Sequence, residues 1–537
     1  MDKQTQLQTL VDGYGPKFPP LEELLASRPD DEALQALGSP VPALGRYWKS
    51  VRFMGRITSG EAVGIKRFYV AKAYLFALAR LMENYDGIHR DKKIIEGLSN
   101  SDIDAILRMG TTATEVWQAE QIEKFTDHDT AAATDYLKIL AARQLPHFDP
   151  SIEAIHFALT SEDVMGNVFG MIGNQLVLGH FMEHLIDFCL DVLDYSAVYE
   201  AEQITVIPGI THRQPAEPTH PNKRPIVTVK AIVQLMQKLT DERYCFIPFP
   251  GKLGSALGNL LAQYAAYPDI DWWSFAEDYV KSMGLTYEPM THQSSTYAME
   301  SHIFTTVANI ITQLIKLVED FIDSAAAPAQ FFYKEKKAGE KGSSIMPGKA
   351  QAWGSEGGKK MFKKTRLLLM FLAEELADYP YEGDMGRSYL FRDIGTDFMP
   401  AFIALDRVGS EMKKYKPNSK KIASFFHEYP GMAGSALQTI LKREKVEGDA
   451  YREIQKIAIN PDGTYANHDQ FGAAMEAKME ELRLLKPLRE ELRSLLDPSN
   501  LIKHLEKPLR EEMDMLRWQL NQLHASAKSF LVPPEYK

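Results

Sequence analysis

Apolar residues recur at helical intervals over long stretches of this chain. From Ser161 to Ile207 there is no proline, and Phe169, Ile172, Leu176, Phe181, Leu185 and Phe188 fall on one face. Thr160 and Ser161 supply a cap, with Glu162 and Asp163 in the first turn, where a helix N-terminus favours acids. A second run follows Pro225 and extends to about Cys245. A third, Thr296 to Ala327, carries Ile303, Val307, Ile310, Ile311, Leu314, Val318 and Ile322 on one broad stripe. A fourth runs from about Ser355 to Asp378. These runs exceed the roughly 11 to 12 residues of an average helix. Alternating strand patterns are scarce, so the pattern predicts a mainly α protein with a central bundle of long helices. A stripe as broad as Ile303 to Ile322 would leave apolar surface exposed in a monomer. The segment from about Tyr465 to Trp518 is charged and helical. Residues 1–38 read as a polar extension with one short helical stretch near Leu21 to Ala26.

Three irregular segments interrupt the helices: Ile207 to Pro218, the Pro- and Gly-rich Phe246 to Gly258, and Lys334 to Gly358. Long glycine-bearing loops inside a helical protein are usually functional or disordered. The last of them contains Gly342-Ser-Ser-Ile-Met-Pro-Gly-Lys349. Its glycines let the backbone wrap a ligand and present N–H groups, and two serines with a nearby lysine could form an oxyanion-stabilising lid. A mobile linker is the alternative on composition alone. The formal charge of −11 over 537 residues argues against a general electrostatic grip on nucleic acid. Two cysteines, Cys189 and Cys245, form no disulfide framework, and no signal or membrane segment stands out, which predicts a soluble, cytoplasmic protein.

The glycine-serine loop resembles the signature loop of the aspartase/fumarase superfamily: Gly342, Ser343, Ser344, Met346, Pro347 and Lys349 match it in register. Further blocks narrow the resemblance to the adenylosuccinate lyase family. Thr211-His212-Arg213-Gln214-Pro215 is similar to its Thr-His-Gly-Gln-Pro, with Arg213 replacing glycine. Thr160 to Asp163 with Asn167, Thr126 to Asp129 around His128, Gly251 to Asn259, and Gly45-Arg46-Tyr47 supply the other blocks, in unbroken order from about 39 to 510. The resemblance implies a three-domain fold: an extension (1–38), an N-terminal helical domain (39–159), a central long-helix domain (160–395), and a C-terminal helical domain with extension (396–537).

It also implies a reaction, elimination across a C–N bond that converts adenylosuccinate to AMP and fumarate, and likewise releases fumarate from succinyl-aminoimidazole-carboxamide ribotide. Ser343 would be the base, with Ser344 its neighbour or substitute, and Lys349 would stabilise the anions. His212 would be the acid and His128 its assistant. Thr160, Ser161, Asn167, Gln214, Asn259, Gln293 and Met346 would bind substrate. Arg46, Tyr47, Arg387, Ser388 and Arg392 would face the phosphate. No metal or organic cofactor is implied, and the partner would be further copies of the chain, in a homotetramer whose active sites are shared among subunits. The chain departs from the family pattern after the loop, at Gln351-Ala352, and in the phosphate region, where Gly383 replaces an arginine and Arg387 an aspartate. Those departures leave open a fumarate-releasing lyase with a different N-succinyl or aspartate-like substrate. A catalytically silent scaffold is the remaining alternative.

Overall fold

In a computed structural model of the chain, residues 45–335, 338–384, 386–446 and 448–532 are described. The expected extension 1–38 and its stretch near Leu21–Ala26 lie outside them. Ser59 begins the first long helix, α1 (Gly60–Glu83), by accepting the Ala62 N–H at 3.2 Å. His128 does the same for α2 (Asp129–Gln144). The proline-free stretch forms one rod: α3 (Ser161–Gly173), a π-helical segment (Asn174–Phe181) and α4 (Met182–Asp194). Hydrophobic periodicity predicts the rod but not the π-winding in its middle.

The segment from Ile207 is a β-hairpin where an irregular loop was expected. β1 (Ile207–Thr211) pairs antiparallel with β2 (Gln214–Thr219). His212 and Arg213 form its two-residue tip with φ of 52° and 61°, the left-handed backbone that such short connections require. Arg213 adopts it where glycine would do so without strain. The next helix, α5 (Lys223–Gln237), stops well short of Cys245. Asp241 accepts the backbone N–H of Arg243 and Cys245 at 2.8 and 3.0 Å, folding that segment into a turn.

The core of the bundle is α6 (Ala298–Ala325) against α7 (Trp353–Glu375). They run antiparallel: Ser301 Oγ bonds the Ala373 carbonyl near one end and Lys359 pairs with Glu319 toward the other. β3 (Phe332–Lys334) follows α6. The short α8 (Gly386–Arg392) and the longer α9 (Ile394–Met412) follow α7, and β4 (Tyr415–Pro417) pairs antiparallel with β3. The last helix, α10 (Glu506–Ser529), returns along α4, with Arg517 on Asp194 at 2.6 Å and Leu516, Leu520 and Leu523 buried. One continuous core runs from Val51 to Ala527, and a smaller one gathers Ala433 to Leu492. The C-terminal region expected from 396 therefore gives its first and last helices to the bundle.

The stripe on α6 corrects the argument for self-association. Ile303, Val307, Ile310, Ile311, Leu314 and Val318 are buried within one chain and Ile322 is half-buried, so the stripe leaves little apolar surface for a second copy to cover. Among the described residues α6 is also the one helix long and apolar enough to cross a membrane, and more than half of that stretch is buried in the protein.

At the end of the bundle where α3 and α6 begin, a buried ion pair ties three segments together. Asp163 and Lys252, 0% and 1% exposed, meet at 2.7 Å. The same carboxylate accepts the N–H groups of Gly254, Ser255 and Thr160 at 2.8, 3.0 and 3.0 Å. Lys252 Nζ also donates to the Gln293 carbonyl at 2.7 Å. Asn167 completes the knot, donating to the carbonyls of Asp163 and Lys252 and accepting the Lys252 N–H at 2.9 Å.

Removing one member of a buried ion pair leaves the other charge uncompensated. Lys252→Met is expected to cost about 3–5 kcal/mol in urea unfolding, and adding Asp163→Asn to recover part of that loss. A second expectation concerns Glu300, in the first turn of α6. It is buried with Oε2 unbonded, and burial, with Glu288 nearby, pushes its carboxyl up to about 8. Between the ordinary value of 4.5 and about 8 the folded chain holds a proton that the unfolded chain has lost, so stability falls as pH rises. Glu300→Gln should therefore raise stability at pH 8 by on the order of 3 kcal/mol and change it little below pH 4.5, as read by thermal unfolding across pH.

Candidate active site

The residues singled out from the sequence fall into two groups, at opposite ends of the bundle. At the tail end, where α6 finishes, lie the signature loop and the hairpin. The loop leaves β3 and returns into α7, and both feet are fixed there. Lys334 pairs with Glu340 and Glu411, and Glu411, 2% exposed, also accepts the Gly354 N–H at 3.2 Å. Gln351, one of the departures from the family pattern, closes the neck by donating to the Gly342 carbonyl at 3.0 Å. Gly342 is required there, because a Cβ would lie 1.9 Å from the Lys349 carbonyl oxygen.

Within the loop Ser343 is half-buried, while Ser344, Met346 and Lys349 are exposed. Ser343 Oγ accepts the backbone N–H groups of Met346 at 3.1 Å and Ile345 at 3.4 Å. Such donors favour a negative oxygen over a neutral one. The hairpin is anchored beside α6 by Arg224, which reaches the Pro208 carbonyl and Ser324 Oγ. His212 is exposed at its tip, and the Gln214 amide oxygen accepts the Tyr465 hydroxyl at 2.8 Å. A cavity of about 1150 Å³ separates the hairpin from the C-terminal helices, lined by Thr211, Lys223, Arg224, Lys316, Ser435 and His504. Tyr47 stacks on Arg407, which also covers Trp353 at the foot of the loop, and Arg46 beside it is exposed.

The head end gathers the remainder around the Asp163–Lys252 knot. Thr160 and Ser161 begin α3, half-buried, and Asn259 is exposed at the end of the Lys252 segment. Gln293 holds Lys252 through its carbonyl and receives the chain from Glu382 through its N–H at 3.1 Å. Asn167, expected at the substrate, is fully buried with its amide committed to backbone, so it positions this end rather than lining it. Arg392, expected at the phosphate, donates to Asp129 at 2.6 Å, and Arg67 donates to the same oxygen at 2.8 Å. Burial works against ionisation of the Asp129 carboxyl, but the two arginines and the Thr130 hydrogen bonds outweigh it and hold it below the usual range. A cavity of about 460 Å³ opens beside this triad. His128, half-exposed, accepts the Ala131 N–H on Nδ1 at 3.3 Å, which puts the proton of its neutral ring on Nε2. Arg387 is buried between Tyr297 and Tyr379, and Ser388 follows it on α8.

The two groups are far apart. α6 spans 28 residues between them, or roughly 42 Å at about 1.5 Å per residue. One chain thus brings Ser343, Lys349, His212 and Gln214 to one end, and His128, Thr160, Ser161, Gln293 and Arg387 to the other. Asp163 and Lys252 stand in blocks of the family resemblance, Asp163 also in the first turn of α3, yet neither is assigned a role there, nor is Ser294, Tyr297 or Tyr379. The contact that joins Asp163 to Lys252 crosses 89 residues and leaves no mark on the local sequence. His156 is a further omission: it stands four residues before Thr160 with φ of 68° and a buried, unpartnered Nδ1, and burial pushes its imidazole down. Two groups among the described residues have the spacing to hold a metal ion, His180–Glu183–His184 and His427–His468–Asp469, and neither contains a residue of the expected site.

The chain matches the sequence model of a family described as a lyase over residues 92–360. It is similar to adenylosuccinate lyase from Dictyostelium discoideum, 26% identical over 426 residues that cover 78% of this chain and 88% of that one. Adenylosuccinate lyase from Escherichia coli K12 is 27% identical over 341 residues, covering 63% and 71%. Among solved structures, β-carboxy-cis,cis-muconate cycloisomerase from Acinetobacter calcoaceticus superposes with a TM-score of 0.61 at 12% identity, covering 88% of this chain and 100% of that one. Fumarate lyase from Mesorhizobium sp. BNC1 gives 0.61 at 14% identity, covering 88% and 97%. The helical bundle is thus a fold that this chain shares with both proteins. With half of its length matched, and with the loop and helices arranged as above, the chain belongs to this lyase family and is a divergent member of the aspartase/fumarase superfamily.

Proposed function

We propose that the protein is an adenylosuccinate lyase: it cleaves adenylosuccinate to AMP and fumarate, and releases fumarate from succinyl-aminoimidazole-carboxamide ribotide in the same way. The observation that carries the base assignment is the pair of backbone N–H groups already aimed at Ser343 Oγ. A serine hydroxyl is a poor base unless its anion is stabilised, and fixed donors in a site that excludes water supply that stabilisation. Ser343 takes the proton from the carbon beside a succinyl carboxylate. The C–H electron pair passes through the aci-carboxylate, which Lys349 stabilises, and becomes the C=C bond of fumarate as the C–N bond breaks. His212 delivers a proton to the departing nitrogen, with His128 assisting. Ser344 neighbours the base, and Thr160, Ser161, Asn259 and Gln293 hold the carboxylates.

The separation of the two ends supports a shared active site. Neither end carries the whole constellation, so copies packed with their bundles antiparallel, as a homotetramer, would bring the loop and hairpin of one against the knot of another. Leu367 and Phe371, four residues apart on α7 and 69% and 51% exposed, offer apolar contacts for that packing. A second reading keeps the elimination and changes the leaving group. It is favoured by Arg387 occupying the space beside Gly383, which alters the pocket relative to the family pattern.

The test is fumarate formation from adenylosuccinate by purified protein. Ser343→Ala and His128→Ala are each expected to lower kcat by about 10²- to 10⁴-fold. Mixing the two inactive variants, with subunit exchange, should recover activity that neither has alone. No recovery between two folded variants would argue for a site within one copy, and no fumarate from the wild type would direct attention to other N-succinyl substrates.

A further inference from the structure

The rod that runs from Ser161 to Asp194 has one opening along its middle. From Asn174 to Ile186 every residue is buried except His180, Glu183 and His184, each half-exposed. His180 stands in the last turn of the π-helical segment, and Glu183 and His184 in the first turn of α4. Short π segments inside α-helices are frequent at functional sites. Steps of three and four residues bring side chains to one face of a helix, and the donor atoms of these three lie within 4.8 Å of one another.

The two imidazoles are already oriented as metal ligands are. A carbonyl can only accept, so the 2.7 Å contact of His184 Nδ1 with the His180 carbonyl is an Nδ1–H donation, and it leaves the lone pair on Nε2. Metal-bound histidines make such a bond with the nitrogen that the metal does not use, which fixes tautomer and ring direction together. Phe53 lies against both rings, with centres 4.6 Å from His180 and 5.5 Å from His184, and Phe402 meets His184 edge-on at 5.2 Å. Burial, with His184 nearby, pushes the His180 imidazole down to about 4, so near neutral pH it carries no charge to repel a cation. Among the described residues neither the His180 ring nor the Glu183 carboxylate has a hydrogen-bond or ion-pair partner.

We propose that His180, Glu183 and His184 form a binding site for a divalent ion of the zinc class, apart from both ends at which the expected active-site residues gather. Two imidazoles and a carboxylate suit zinc and select against magnesium and calcium, which take oxygen ligands. Bonds of about 2.0–2.2 Å hold ligand atoms roughly 3–3.5 Å apart, and the unpartnered Glu183 carboxylate is free to swing the remaining distance. Three protein ligands leave one position of a tetrahedral ion open to water. A bound ion bridges the last π turn to the first turn of α4, and so stiffens the rod where its winding changes.

The test is zinc uptake by the full chain after chelator treatment, read as metal content after dialysis and as thermal unfolding in the same solutions. Wild type is expected to retain zinc, to unfold at a temperature that rises with zinc concentration, and to gain nothing from magnesium. Cobalt in the zinc's place should give the visible absorption of a four-coordinate site. Glu183→Gln and His180→Asn should each weaken zinc binding by more than the roughly 10- to 100-fold that follows loss of a group merely orienting a ligand, and each should abolish the cobalt band. Glu183→Gln, which keeps the shape of the side chain, decides the matter where His180→Asn fails to fold. The exposed cluster His427–His468–Asp469 provides the control, and His468→Ala should leave the cobalt band and the zinc-dependent rise in unfolding temperature as in wild type. No zinc retained by wild type, equal retention by Glu183→Gln, or loss confined to His468→Ala would each overturn the site and leave the two histidines as rings packed on Phe53. None of these readouts depends on turnover, so the metal site stands or falls apart from the reaction proposed for the chain.

Discussion

Everything at the head end of this protein depends on the carboxylate of Asp163. It is buried completely, and its charge is balanced by Lys252 and by three backbone N–H groups from two separate segments. An ionised group in that position is tolerable only if all its acceptor capacity is used, so the start of α3, the Lys252 loop and the Gln293 segment cannot move independently. The knot fixes where the Thr160 and Ser161 hydroxyls lie relative to Gln293 and Asn259. Asn167, by spending its amide on the same backbone, removes the remaining slack. The chemistry proposed for this region thus rests on a scaffold of buried polar groups committed to one another and to backbone.

The second constraint is length. Helices long enough to bury a wide apolar face within one chain necessarily carry their two ends far apart. α6 covers its stripe with α7 and its other neighbours, and in doing so places the signature loop and the hairpin roughly 42 Å from the knot. A stable monomeric core and a complete monomeric site are therefore in conflict in this architecture. The sharing of the site between copies proposed above would resolve the conflict, with the exposed loop and hairpin tip as the elements that reach outward.

Close packing also explains how the departures from the family pattern fit together. Gly383 and Arg387 look like two separate losses when read along the chain. In space they are one exchange, because the guanidinium fills the volume that a side chain at 383 would need. Gln351 behaves similarly: it replaces a family residue after the loop and closes the loop's neck with its own amide.

The helices, and the strings that carry the family resemblance, are legible along the chain. Periodicity located the rod from Ser161 and the third and fourth long runs to within a few residues, because a helix that must bury one face repeats its apolar positions locally. Motif spacing singled out the signature loop for the same reason: its glycines and serines act on their own backbone. What it misjudged were features set by distant partners. The hairpin around His212 was hidden because its tip uses His and Arg in a left-handed turn instead of the usual Asn or Gly. The stripe on α6 seemed to need a second copy, since no pattern along one helix reveals which other helices cover it. Asn167 seemed a ligand contact and Lys252 went unassigned because the bonds that define them cross 85 and 89 residues of sequence. Which candidates share an end, and which are spent on holding the scaffold, was settled by contacts between segments distant in the chain. Those outcomes follow from burial and hydrogen-bond satisfaction, which are properties of neighbours in space and leave no trace in local sequence.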